Sequence, residues 1–195
     1  MLVLGSYGAS ETFFTLKGEL EAIFKGLRVQ KATYTAVKDN PSYHPGRCAK
    51  VAVGGVDVGY IGQVHPLVAQ NYDIDGEIYC AEINFTKLFD LQLPDVTYTP
   101  LPKYPTVNRD LSILCDEAVT VADAVDVITA SAGKLLRDVN LFDIYRGTGI
   151  PEGKKSMAFS LELRADDRTL TDSDSETVMS KVLTALGEKL GASLR

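Results

Sequence analysis

The stretch Ser156-Met157-Ala158-Phe159-Ser160-Leu161-Glu162-Leu163 alternates small or polar residues with large apolar ones without a break. Successive side chains of a strand point to opposite faces, so Met157, Phe159, Leu161 and Leu163 share one face and Ser156, Ala158, Ser160 and Glu162 the other. Such a strand buries one face and leaves the other open. Upstream, Leu111, Ile113 and Cys115 alternate with Asp110, Ser112 and Leu114, which predicts another strand. Thr120 followed by Asp123 resembles a capping box with Asp in the usual Glu position, and Val121, Ala124, Val125 and Ile128 mark the helix it starts. Gly133 ends that helix. Leu135 to Tyr145 reads as a further strand, with apolar residues on both faces that leave its register open. Downstream, Thr171 with Asp174 caps a helix carrying Met179, Val182, Leu183, Leu186 and Leu190, closed by Gly191, and Ala192 to Arg195 can add an edge strand.

The resulting order is β-α-β-β-α-β, a ferredoxin-like split sandwich. Each helix has a single apolar stripe, so both cover the same sheet face. The uncovered face is expected to carry Asp110, Ser112, Ser156, Ala158 and Ser160, a flat surface suited to something planar. In the strip Phe142-Asp143-Ile144-Tyr145-Arg146, turning Phe142 and Ile144 toward the helices places Asp143 and Tyr145 on that open face.

Pro94, Pro100, Pro102 and Pro105 crowd the stretch from Leu91 to Val107. Proline fixes φ, lacks a donor and pushes its predecessor out of the α region, so an extended connector is expected there. This divides the chain into residues 1–90, a Pro-rich linker over 91–103, and the sandwich over 104–195. In the first part, Leu16, Leu20, Ile23, Phe24 and Leu27 recur at helical spacing and predict a helix over Phe14–Leu27. Val51 and Val53, then Val56, Val58 and Tyr60, flank Gly54-Gly55 and predict a hairpin. Pro66 can open a short helix, and Ile78 to Ile83 reads as a strand. The fold class is α+β, a mixed antiparallel-sheet module followed by the sandwich.

A chain of 195 residues with 45% hydrophobic and 24% charged residues can bury a core in one or two domains. No apolar run reaches the roughly 18 residues needed to cross a bilayer, and Met1 to Ser6 lacks both the basic lead and the apolar core of a signal peptide. Cys48, Cys80 and Cys115 are odd in number and isolated on apolar segments, which predicts free thiols in a reducing, cytoplasmic setting. The net charge of −6 divides into 9 bases and 11 acids through Lys103, then 11 bases and 15 acids beyond it. Neither part is basic. Bulk attraction to phosphates is therefore weak, and any RNA contact has to be local.

Three arrangements invite chemistry and each lacks a part. From Gly147 to the Gly153-Lys154 pair there are five intervening residues where a phosphate loop has four, and Pro151 removes an amide from the cradle. No Ser or Thr follows Lys154, so a Gly/Pro hairpin with a basic tip is expected instead. His44 and His65 lack further metal ligands at suitable spacing and fit turn and capping roles. A Cys48–His44 nucleophile pair has no orienting third group. No metal, cofactor or catalytic residue is expected. For Asp143 and Tyr145 two readings remain. The ring can stack on a base while the carboxylate accepts the Watson–Crick edge of guanine; equally, Tyr145 can be an ordinary strand residue while Asp143 pairs with Arg137 or Arg146.

The run from Leu136 through Arg146-Gly147, then Pro151-Glu152-Gly153-Lys154-Lys155-Ser156, resembles the anticodon-binding domain of the bacterial phenylalanyl-tRNA synthetase beta-subunit family. So do Tyr104-Pro105 leading to Arg109-Asp110-Leu111, and Asp167-Arg168-Thr169-Leu170-Thr171-Asp172. Upstream, Phe13-Phe14-Thr15-Leu16-Lys17-Gly18, His44-Pro45-Gly46-Arg47 and Ile61-Gly62-Gln63-Val64-His65-Pro66 resemble the end of that family's synthetase-like module. The resemblance implies a first part related to a class II synthetase core but without catalysis, and a second part that reads the anticodon of phenylalanine tRNA. It implies an alpha subunit as partner, which makes phenylalanyl-adenylate from Mg-ATP. It also implies base stacking at Tyr145, a guanine-edge contact at Asp143, hydroxyl hydrogen bonding at Ser156, and phosphate contact or simple solvation at Arg137, Lys154 and Lys155. Members of the family are several times longer, so the chain is expected to be part of a longer subunit, with the editing site elsewhere. The rival expectations are a ferredoxin-like regulatory module that binds a small molecule or dimerises, and a small enzyme in the first part.

Overall fold

A computed structural model describes residues 1–91, 98 and 100–195, which divide into two compact units, Met1–Tyr98 and Thr99–Arg195. Most of the connector expected over 91–103 lies outside the described residues.

The first unit runs β1 (Leu2–Tyr7), α1 (Phe13–Gly26), β2 (Ala32–Ala36), β3 (Tyr43–Val53), β4 (Val56–Val64), α2 (Pro66–Gln70), β5 (Ile78–Ile83) and α3 (Phe85–Asp90). Its strands form an antiparallel sheet in the order β1-β5-β4-β3-β2. Helix α1 starts one residue before the expected position because Thr12 and Thr15 form a reciprocal capping box. It buries Leu16, Leu20 and Phe24 against Val51, Val53, Ile61, Ala81 and Ile83. Gly54 and Gly55 turn the β3–β4 hairpin at φ 56° and 80°, values that L residues adopt only at a cost. The stretch His44-Pro45-Gly46-Arg47 lies inside β3 where a turn was expected. The ladder skips between Tyr43 and Cys48, and that irregularity accommodates Pro45, which has no N–H for a regular ladder. His65 accepts from Leu67 N at 3.2 Å and caps α2.

The second unit runs β6 (Val107–Asp116), α4 (Val121–Ala132), β7 (Leu136–Tyr145), β8 (Lys154–Leu163), α5 (Asp172–Leu190) and β9 (Ser193–Leu194). The β-α-β-β-α-β order is the expected one, and the sheet order is β7-β8-β6-β9. Both helices open on the expected capping boxes, Thr120 with Asp123 and Thr171 with Asp174. Each lays one stripe on the sheet: Ala124, Val127 and Ile128 from α4, and Val178, Val182 and Leu186 from α5. They cover Leu111, Ile113 and Cys115 of β6 and Met157, Phe159, Leu161 and Leu163 of β8. Each large apolar side chain so buried contributes about 1.5–3 kcal/mol before its conformational entropy is charged against it.

Strand β7 departs from simple alternation. Its ladder with β8 shifts between Leu136 and Asp138 and again between Leu141 and Asp143, so Arg137 and Phe142 are inserted residues. Phe142 does not face the helices as expected; it is 60% exposed. The bulge lets Leu141, opposite Phe159, and Ile144, opposite Met157, both join the core although they are three residues apart.

Candidate nucleic-acid interface

The face of the second sheet opposite α4 and α5 is organised by β8. Ser156 pairs with Tyr145 on one side and Leu114 on the other, and Ala158 pairs with Asp143 and Ser112. Ser160 pairs with Asn140 and Asp110. The bulge at Phe142 thus leaves Asp143 and Tyr145 together on the uncovered face, two residues apart and roughly 7 Å along the strand. Small residues at 156, 158, 160 and 112 make the floor between them flat.

Tyr145 is 37% exposed, and its hydroxyl donates to the Thr148 carbonyl at 3.3 Å. Asp143 is exposed, and among the described residues no cation lies within ion-pair distance of it. The two arginines that could have neutralised it are engaged elsewhere. Arg137 pairs with Asp166 at 2.7 Å, and Arg146 donates to Glu117 through two nitrogens at 2.6, 2.9 and 3.1 Å. The Arg146 guanidinium holds the Glu117 carboxyl below the usual carboxylate range. The Asp143 carboxylate is therefore left as a solvent-facing acceptor, able to receive two N–H groups from one planar edge.

Ser156 sits on the expected face but is buried. Its hydroxyl lies 3.3 Å from that of Ser112, and Arg195 Nη1 approaches it at 3.4 Å. Arg195 is the residue that the sequence reading missed. Its backbone N–H donates to Ser112 at 3.0 Å, and its guanidinium lies 5.1 Å from the Tyr145 ring centroid. The signal was the edge strand itself. Pairing β9 with β6 at Ile113 and Leu114 brings the following residue alongside Ser112, on the side of the open face.

The lysines divide. Lys154 pairs with Asp116 at 3.0 Å near the end of the β6–β8 ladder. Lys155 is not presented to the open face: it stands opposite buried Cys115, is itself buried, and donates to the Glu117 carbonyl at 2.8 Å. Alternation along β8 explains this, since 155 falls on the same side as 157 and 159. The Gly147–Gly153 segment closes as a hairpin loop, with Ile150 N–H on Gly147 O and Lys154 N–H on Pro151 O.

The first unit offers less. Cys48 is buried, and burial pushes its thiol up, away from the thiolate that a nucleophile needs. His44 Nδ1 accepts from Gly46 N at 3.0 Å, a local contact within the irregular stretch of β3. Arg47 joins buried Gln63 at 2.8 Å and Glu77 at 2.6 Å, with the Tyr79 hydroxyl donating to Glu77 at 2.6 Å, a network that ties β3, β4 and β5 together. Among the described residues no group of three or more His, Cys, Asp or Glu side chains could hold a metal ion, and no helix is long and apolar enough to cross a membrane.

A split sandwich with an open, aromatic and acidic face is one way of holding an unpaired base, and residues 102–195 match the family model described as a ferredoxin-fold anticodon binding domain. Residues 3–85 match the phenylalanyl tRNA synthetase beta chain CLM domain. The chain is 43% identical over 194 residues to a phenylalanine–tRNA ligase beta subunit from Clostridium tetani, 39% over 195 residues to one from Clostridium acetobutylicum, and 41% over 198 residues to one from Lactiplantibacillus plantarum. Each alignment covers 100% of this chain and 24% of the relative. The chain belongs to the family of phenylalanine–tRNA ligase beta subunits and spans about a quarter of the length of those relatives.

Proposed function

We propose that residues 102–195 hold the anticodon of a tRNA, with phenylalanine tRNA as the substrate, and that the chain acts as part of a beta subunit alongside a catalytic alpha subunit. The observation that carries the proposal is the placing of an exposed ring, Tyr145, beside Asp143, a carboxylate with no ion-pair partner among the described residues, on one uncovered sheet face. The ring stacks on an unpaired base. The carboxylate accepts from N1–H and the exocyclic amine of guanine, an edge that no other base presents as two donors. Arg195 lies over the same ring, so a base stacks on the ring's other face or takes the guanidinium's place. Ser156 adds a hydroxyl once that guanidinium moves off it. Arg137 and Lys154 are open to phosphate contact only by exchanging their present carboxylate partners, and Lys155 only by leaving its buried site.

Attachment of phenylalanine at the expense of Mg-ATP is assigned to the alpha subunit of the cytoplasmic assembly, and no step of it to the residues of this chain. The test is binding of a labelled anticodon stem-loop. Tyr145→Ala should weaken it by about 1–3 kcal/mol, the worth of one stacked base. Asp143→Asn should relax the preference for guanine at the first anticodon position. Unchanged affinity in the first variant, with unchanged preference in the second, removes the site from this face. Dimerisation driven by an amino acid, without RNA binding, would instead support a regulatory module.

A further inference from the structure

The loop after β7 is bound to the Tyr145 ring more closely than a simple hairpin requires. Gly147 has φ 153°, a conformation that L residues rarely adopt. A Cβ on Gly147 would stand 3.0 Å from the Tyr145 hydroxyl and 3.3 Å from the carbon that bears it. The next residue, Thr148, receives the Tyr145 hydroxyl on its carbonyl at 3.3 Å. Ile150 N–H then donates to Gly147 O at 3.0 Å, which closes the turn that carries Thr148. A tyrosine ring rotates about two bonds, of which the first chooses among staggered wells and the second is broad. In this molecule the far end of the ring is tethered to the backbone.

We infer that Gly147 and the Thr148 carbonyl are positioning elements for RNA recognition, holding the Tyr145 ring in a fixed plane so that a base meets a preformed stacking surface. The inference rests on the anticodon reading above and adds what sets the orientation of its ring. Preorganisation of this kind improves affinity by reducing the freedom lost on binding, not by adding a contact. It also gives the Gly147-Thr148-Gly149 sequence a role other than phosphate binding. The missing side chain at 147 is the space against which the tyrosine hydroxyl lies.

The test is a double-mutant cycle on the 195-residue chain with an end-labelled stem-loop that keeps guanine at the first anticodon position, read by affinity. Gly147→Ala should weaken binding about threefold to tenfold when Tyr145 is present. In a Tyr145→Ala background the same change should leave affinity unmoved, because there is no ring left to displace. A merely structural glycine would cost the same in both backgrounds, and that result overturns the inference. Tyr145→Phe, which keeps the ring and removes the tether, is the second arm, independent of whether the Gly147 variant folds. It should weaken binding about threefold without lowering the melting temperature, and affinity equal to the parent chain's overturns the inference. If Tyr145→Ala itself binds as well as the parent chain, the anticodon reading of this face has failed, an outcome distinct from failure of the tether alone.

Discussion

At the scale of single residues, the open face of the second unit is set by which charges are left over after neighbours have paired. Arg137, Arg146 and Lys154 each have a carboxylate within ion-pair reach, whereas Asp143 has no such partner among the described residues. Of the two readings that spacing left open for Asp143, the one that paired it with Arg137 or Arg146 is not what the structure shows, because Asp166 and Glu117 take those guanidiniums instead. Lys155 shows what residue type alone cannot tell. A lysine in a basic loop tip reads as a phosphate contact, yet its register opposite Cys115 turns the ammonium onto the Glu117 carbonyl. Lys155→Met keeps most of the apolar stem and removes the charge. The variant should leave unchanged the slope of log affinity against log salt for the stem-loop. A slope lower by about one would instead place the ammonium on a phosphate.

At the scale of elements, the parts legible in the sequence were those whose signal is local. The boxes at Thr120 and Thr171, the glycine pair of the first hairpin and the strand Ile78–Ile83 depend on residues a few positions apart. Strands β1 and β2 escaped the reading because both are short edge strands: Val3 interrupts the alternation of β1, and in β2 Tyr34 is the one large side chain among Ala32, Thr33, Thr35 and Ala36. Helix α3 spans six residues, too few to show a period. The bulge at Phe142 was illegible for a different reason. Which residue is inserted is decided by the partner strand, where Met157 and Phe159 need Ile144 and Leu141 beside them. The box at Thr171 carries a pH signature. Arg168 first, then the Thr171 backbone and hydroxyl, hold the Asp174 carboxyl far below its ordinary value of 3.8. A carboxyl depressed in the folded state contributes its full stability above the unfolded value and loses it as pH falls from 3.8 toward the folded one. In chemical denaturation, Asp174→Ala should therefore destabilise the chain at neutral pH, with the gap constant down to about pH 4 and closing below it. A gap independent of pH throughout would mean that the carboxylate charge contributes nothing.

At the scale of the whole chain, two hydrophobic clusters among the described residues share no member, one built on α1 and the first sheet and the other on α4, α5 and the second. Each unit therefore has its own core, and the face that carries Asp143 and Tyr145 is supported within residues 107–195 alone. The charge balance over those residues then decides what kind of RNA binding is open to them. With 11 bases against 15 acids beyond Lys103, and with Arg137 and Arg146 already paired, long-range attraction cannot supply the affinity. Stacking and edge hydrogen bonds have to supply it, and these are nearly indifferent to salt, whereas each phosphate neutralised adds about 0.7 to the slope on a single strand. Stem-loop binding by this chain should accordingly fall only gently as salt rises from about 50 to 200 mM, with a slope corresponding to one or two phosphates. A slope of five or more would mean that a cationic track elsewhere on the chain carries the affinity. The Asp143–Tyr145 pair would then select among RNAs that it does not itself hold.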